Sequence, residues 1–275
     1  MVTPAAILAT MTALSTSVSA TGILLPLYVY PSADYDDGAA NWQPALDAIK
    51  SSSSVSWLAV VNPDSGPGAT GKPANDDVNY ISGIEQLNAQ ANVRTIGYVR
   101  TNYGASPAAE LEANITTYAS WASSESNVGV KGIFFDETSP DSLDYLRSAV
   151  SHARSAFGDV DIVTICNFGA AAPADFYEDG LCDVNIIFEN YLSAWEGTAT
   201  LDANIPSGGS AERSAAIVHD FQGTDSDGTP ADTALLKSDV QEAVSYGLGW
   251  VYFCSANYDS ITATPATIGA LAASF

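Results

Sequence analysis

Positive charge is scarce in this chain: nine Lys and Arg stand against 32 Asp and Glu in 275 residues, a formal charge of −23. A polyanion would be repelled over most of such a surface, which excludes nucleic acid as a partner and leaves neutral or cationic ligands. Histidine is scarcer still, with two residues, no His-x-His and no cysteine-histidine cluster, so no zinc-type ligand set is present and no metal is expected. No glycine-rich phosphate fingerprint follows the first apolar run, which argues against an open dinucleotide-binding sheet and against a cofactor. The three cysteines cannot all pair with one another. Cys166 closes one predicted strand and Cys182 precedes the next, which puts them at opposite ends of a parallel sheet, so the expectation is three free thiols.

Long apolar segments are also missing. A membrane-spanning helix needs roughly 20 apolar residues, and the nearest candidate, "MVTPAAILATMTALSTSVSA" at 1–20, holds a shorter run from Ala5 to Leu14. It carries no charge and ends Val18-Ser19-Ala20 before Thr21, the small-residue pattern of a signal peptidase site. Residues 1–20 therefore read as a cleaved secretory signal, with an uncleaved anchor as the competing reading because the n-region lacks Lys and Arg. The remainder, 21–275, reads as one domain, monomeric, secreted or cell-wall associated and free of the membrane after cleavage. The sequon Asn114-Ile115-Thr116 fits export.

What the chain does have is eight continuously apolar, β-branched runs, at 22–30, 55–62, 93–99, 130–136, 160–167, 184–189, 215–221 and 248–254. Continuous rather than alternating apolarity is the pattern of strands covered on both faces. Helical patterns precede the second, third, fourth, fifth and eighth runs. Two open on Ser-Pro (Ser106-Pro107 and Ser139-Pro140) and two close on Gly158 and Gly247, as N-cap with N1 proline and C-cap glycine would. The crossover 190–212 shows no clear helix. Eight buried strands joined by seven crossovers predict an α/β fold, a single-domain (β/α)8 TIM barrel.

Catalytic faces of such barrels lie at the carboxyl ends of the strands, and there the runs end in polar residues: Tyr28 and Tyr30, Asn62, Tyr98 and Arg100, Asp136 and Glu137, Asn167, Glu189, His219, and Tyr258 with Asp259. Carboxylates, tyrosines and asparagines around a mouth suggest sugar chemistry, in which one carboxyl group protonates the leaving oxygen and another attacks or stabilises the anomeric carbon. Asp136 and Glu137 are not expected to be that pair, because neighbours on an extended chain point to opposite sides. Glu189 is the better partner for Asp136. The fourth and sixth strands share parity, and two strand spacings of about 4.8 Å allow the carboxyl groups to approach within the roughly 5 to 9 Å used by glycosidases. Tyr28, Asn62, Tyr98, Asn167, His219, Tyr258 and Asp259 are candidate substrate-binding groups. The glycine- and proline-rich loop 62–77 is long enough to wall a cleft.

"LLPLYVYP", "NPDSGPG", "TIGYVRTNYG", "GIFFDE", "CDVNIIFENY" and "ANYDS", in that order, resemble the spherulin-4-like, or spherulation-specific family 4, proteins, grouped as glycoside hydrolase family 135. The resemblance implies a (β/α)8 barrel that cleaves, in endo fashion, an α-1,4-linked galactosamine-containing polymer, galactosaminogalactan, at N-acetylgalactosamine units. It places the functional acids on Asp136, Glu137 and Glu189, with Asp136 as nucleophile or charge stabiliser, Glu189 as general acid/base and Glu137 in support. A polysaccharide-binding wall or spore-coat protein on the same barrel is the rival reading.

Overall fold

The computed structural model describes residues 20–178 and 181–275; the reading of a secretory signal lies outside the described residues except for Ala20. The described residues form eight strands: β1 (Gly22–Leu27), β2 (Trp57–Val61), β3 (Val93–Arg100), β4 (Gly132–Asp136), β5 (Val163–Asn167), β6 (Val184–Tyr191), β7 (Ser214–His219) and β8 (Trp250–Phe253). They pair in parallel and in sequence order into a closed barrel, β8 returning to β1. The expected (β/α)8 architecture is therefore the observed one. β1 and β2 are buried at every position, which is why they read as unbroken apolar runs.

Among the described residues, seven α-helices cover the barrel: α1 (Gln43–Ser51), α2 (Val78–Asn88), α3 (Ala108–Ser120), α4 (Leu143–Phe157), α5 (Thr198–Asn204), α6 (Thr233–Tyr246) and α7 (Ile268–Ala272). Gly158 and Gly247 close α4 and α6 with positive φ, as the sequence suggested. The Ser-Pro pairs behave differently. Pro107 is itself the N-cap residue of α3, and α4 starts at Leu143, three residues beyond Pro140. Ser106 Oγ instead donates to the Arg100 carbonyl, and Ser139 shapes the turn ahead of α4 by accepting from Ser142. The sequon falls within α3, where the Thr116 hydroxyl donates to the Glu112 carbonyl and contacts His152 Nε2.

The cysteine expectation is overturned. Cys166 and Cys182 form a disulfide with Cα atoms 5.8 Å apart, and Cys254 alone is free among the described cysteines. Strand stagger is the reason. β6 enters the sheet level with the carboxyl end of β5, Val184 pairing with Ile165, and Asp183 N–H donates to the Thr164 carbonyl. Cys182 therefore lies beside β5 rather than at its far end. Among its described residues the β5–β6 crossover contains no α-helix, only a short 3₁₀ turn at Ala174–Tyr177. Cys254 is buried, and burial pushes its thiol up to about 12, which keeps it protonated.

Candidate active site

At the carboxyl end of the barrel, the ends of β4, β5 and β6 bring three side chains together. Asn167 donates from one amide nitrogen to Asp136 Oδ1 at 2.8 Å and to Glu189 Oε2 at 2.6 Å. The orientation of that amide follows from its other end, where Asn167 Oδ1 accepts the Gly169 N–H at 3.0 Å. Gly169 has φ of +63°, a conformation that glycine adopts at little cost. Because both carboxylate oxygens bond one nitrogen, they stand at most the two bonds laid end to end apart, 2.8 plus 2.6 or 5.4 Å.

Each carboxylate receives a second donor. Tyr98 OH donates to Asp136 Oδ2 at 2.7 Å, and Tyr258 OH donates to Glu189 Oε1. Burial first, and then the adjacent carboxylate, raise both phenols well above the usual tyrosine range, so they remain O–H donors at any physiological pH. Tyr28 packs against both rings, with centroids 5.7 Å from Tyr98 and 5.3 Å from Tyr258. Its phenol is raised as well, by burial and then by Asp136. Below this layer Tyr98 stacks on the fully buried Phe134, giving the acids a rigid apolar floor.

Backbone geometry separates the two neighbouring acids. Glu137 takes φ of +53°, in the left-handed region that non-glycine residues enter only when the surroundings impose it. The surroundings do so here: Thr101 Oγ1 donates to the carbonyls of Asp136 and Glu137, Tyr103 N–H donates to Glu137 O, and Thr138 is tied to the Asn167 carbonyl. Glu137 is turned toward the rim, where Arg100 Nε meets its carboxylate at 2.7 Å. On β6, a register shift between Ile186 and Phe188 opposite β7 forms a bulge two residues ahead of Glu189, a common device for re-aiming a side chain.

Asp136, Glu137, Asn167 and Glu189 line a cavity of 260 Å³ together with Tyr103, Phe168 and Gly169. The sequence pointed to the first four and missed the last three. Tyr103 is 67 % exposed with φ of +56°; its signal lay in the turn-like Asn-Tyr-Gly following the third run. His219 sits on the far side, its ring 4.7 Å from Tyr191 and 6.2 Å from Tyr258, and its Nδ1 is 3.3 Å from Asp220. Asn62 and Asp259 are not brought to the acid pair. The Asn62 carbonyl accepts from Tyr80 while its Oδ1 is buried without a partner, and Asp259 is exposed. The loop expected to wall a cleft lines a neighbouring cavity, Asp64 to Ala69 facing Arg100 and Asn102. No group of His, Cys, Asp and Glu among the described residues converges for a metal ion.

Comparison with known proteins gives concordant results. The family model described as spherulation-specific family 4 matches residues 22–272. Spherulin-4 of Physarum polycephalum is 36% identical over 151 residues, a match that takes in 54% of this chain and 40% of that protein. The chain thus spans under half the length of this curated relative. Among solved structures, Aspergillus clavatus Sph3 in complex with GalNAc superposes with a TM-score of 0.72 at 28% identity, covering 88% of this chain and 92% of that one. A GH18 chitinase from Pseudoalteromonas aurantia superposes at 0.55 with 13% identity, covering 93% and 100%, a likeness of fold alone.

Proposed function

The chain belongs to spherulation-specific family 4, and on that footing we propose that it is a secreted, endo-acting glycoside hydrolase. Its substrate in this reading is an α-1,4-linked polymer of galactosamine and N-acetylgalactosamine. The observation that carries the reading is the pair Asp136 and Glu189, held by one amide with facing oxygens no more than 5.4 Å apart. Retaining glycosidases hold their two carboxyl groups about 5 to 5.5 Å apart, whereas inverting enzymes leave room for a water at about 6.5 Å or more. The sugar bound by Sph3 supports an N-acetylated hexosamine as the unit recognised. The Cys166–Cys182 disulfide suits an oxidising compartment.

Asp136 attacks the anomeric carbon as Glu189 protonates the departing glycosidic oxygen, giving a glycosyl-enzyme. Glu189 then takes a proton from water, which displaces the sugar from Asp136. Tyr98 and Asn167 fix the Asp136 carboxylate in one orientation, and Tyr258 and Asn167 do the same for Glu189, so little reorganisation accompanies the reaction. Glu137, paired with Arg100 at the rim, orients substrate, and the exposed Tyr103 ring offers a face for a sugar.

Incubating the protein with a galactosamine/N-acetylgalactosamine polymer, chitin and an α-glucan tests the reading: soluble oligosaccharides should appear from the first alone. Binding without release of oligosaccharides would favour a coat or wall protein. Asn167→Leu removes two charge-assisted hydrogen bonds, each worth about 1.5–3 kcal/mol, and should lower kcat about 100-fold or more with KM changed far less. Steady-state kinetics on the polymer would check this; an unchanged kcat would mean the amide is not what holds the acids.

A further inference from the structure

A further cavity, of 410 Å³, adjoins the one that holds the acids, and Tyr103 lines both. Its other walls are Gly104 and residues of the segment that leads from Glu137 into α4, among them Ser139, Asp141, Ser142 and Tyr145. Small-ligand sites commonly measure about 300–1,000 Å³. The acid cavity alone, at 260 Å³, lies below that range, and the cavity beyond Tyr103 lies within it.

Tyr103 is held in place and yet open to solvent. Two thirds of the residue is exposed, so packing into the core is not what it is for. Its backbone is nonetheless fixed: the N–H donates to the Glu137 carbonyl at 2.7 Å, and Asn102, Tyr103 and Gly104 take positive φ in succession, which costs free energy at the two non-glycine positions. Neighbours keep the loop there. A Cβ built on Gly104 would stand 3.0 Å from Ser142 Cβ, and Tyr145 OH donates to the Ser106 carbonyl at 3.0 Å. Exposed tyrosines are, moreover, confined to one face of the barrel. The four among the described residues, Tyr30, Tyr35, Tyr103 and Tyr191, each lie at the carboxyl end of a strand or between it and the helix that follows. The negative face of an aromatic ring attracts the C–H groups of a sugar ring, and the side chains of Ser139, Ser142 and Asp141 supply hydrogen-bond partners for its hydroxyl or amine groups.

We infer that the cavity between Tyr103 and Tyr145 is an outer sugar subsite of the cleft, which holds a further hexosamine unit against the Tyr103 ring while another unit of the same chain lies over Asp136 and Glu189. The inference rests on the hydrolase reading in taking the ligand to be the polymer cleaved. Contacts remote from the reacting bond supply binding energy that the chemical step can use, and an enzyme that cuts within a chain finds such contacts on the units beside the cut.

The test is calorimetric titration of the full chain carrying Asp136→Asn, which suppresses turnover, with α-1,4-linked N-acetylgalactosamine oligomers of one to four units. Affinity should rise about tenfold or more from the monosaccharide to the tetramer. Adding Tyr103→Ala should weaken the tetramer about tenfold or more, as loss of an aromatic anchor does, whereas Tyr103→Phe, which keeps the ring, should stay within about threefold. Because Tyr103 touches both cavities, a second variant reads the outer one alone. Ser139→Ala with Asp141→Ala removes side chains that line only the outer cavity; it should weaken the tetramer about fivefold, the worth of one or two hydrogen bonds, and leave the monosaccharide unchanged. Affinity independent of chain length, a tetramer indifferent to Tyr103→Ala, or Tyr103→Phe as damaging as Tyr103→Ala would each overturn the inference. So would an equal loss for monosaccharide and tetramer in the outer-cavity variant. Because binding is read without turnover, a protein that shows this dependence on length and on Tyr103 but whose native form hydrolyses nothing contradicts only the hydrolase reading. One that hydrolyses the polymer while its affinity ignores Tyr103 contradicts only this inference.

Discussion

Glu189→Gln and Asp136→Asn are each expected to lower turnover about a thousandfold or more while the barrel stays folded. The amides are nearly isosteric with the acids, so packing at the mouth is preserved. Glutamine at 189 cannot protonate a leaving oxygen, and general acid-base catalysis contributes about 10²–10⁴-fold. Asparagine at 136 removes the nucleophile itself, so neither the covalent intermediate nor its charge stabilisation is available. Stability should hold because both residues are only half-buried and the amides occupy the same space as the acids. Glu137→Gln makes the contrast. It loses an ion pair with the half-exposed Arg100, and such pairs contribute about 0–1 kcal/mol, so its effect should fall mainly on KM. Initial rates with melting curves on the three variants would check the ordering. A Glu189→Gln protein that unfolds, or that retains its rate, would assign that residue a structural role instead.

Removing the disulfide should have the largest effect on stability. Cys166→Ala with Cys182→Ala frees a crossover of 16 residues' separation, and closing a loop of that size contributes about 3 kcal/mol in the chain-entropy description. For a domain of this size that corresponds to a melting temperature lower by about 5–10 °C. Both cysteines are fully buried, so alanine leaves small voids that add to the loss. The effect should reach the site, since Asn167 follows Cys166 directly and the crossover carries Phe168 and Gly169 over the acids. Calorimetry of the variant, and of the native chain with and without reductant, would measure it; coincident transitions would show that the bridge adds nothing to stability.

Much of this was legible in the sequence because burial on both faces of a strand leaves an unbroken apolar run, and because barrel chemistry collects where such runs end. Asp136 and Glu189 could be paired by strand parity alone. What parity could not reveal is the bulge between Ile186 and Phe188, which depends on the fit of β6 to β7, or the left-handed turn at Glu137, which is imposed by Thr101, Tyr103 and Thr138 from separate segments. The disulfide was misread because stagger between strands is a property of barrel closure and not of any local pattern. Asn167 carried a signal as a strand-end amide, but its bridging role needs both acids in place. Asn62 and Asp259 carried the same strand-end signal, and the loops after β2 and β8 direct them elsewhere.

The most direct test of the paired acids is the configuration of the first product. Proton NMR recorded during the early minutes of hydrolysis of an α-1,4-linked N-acetylgalactosamine oligomer resolves the anomeric signals of the new reducing end before they equilibrate. The two oxygens that share the Asn167 amide lie within 5.4 Å of each other, nearer the carboxyl spacing of retaining than of inverting glycosidases, so on the proposed reading the α-anomer should form first. The β-anomer appearing first, or no new reducing end at all, would contradict Asp136 and Glu189 acting together on one glycosidic bond.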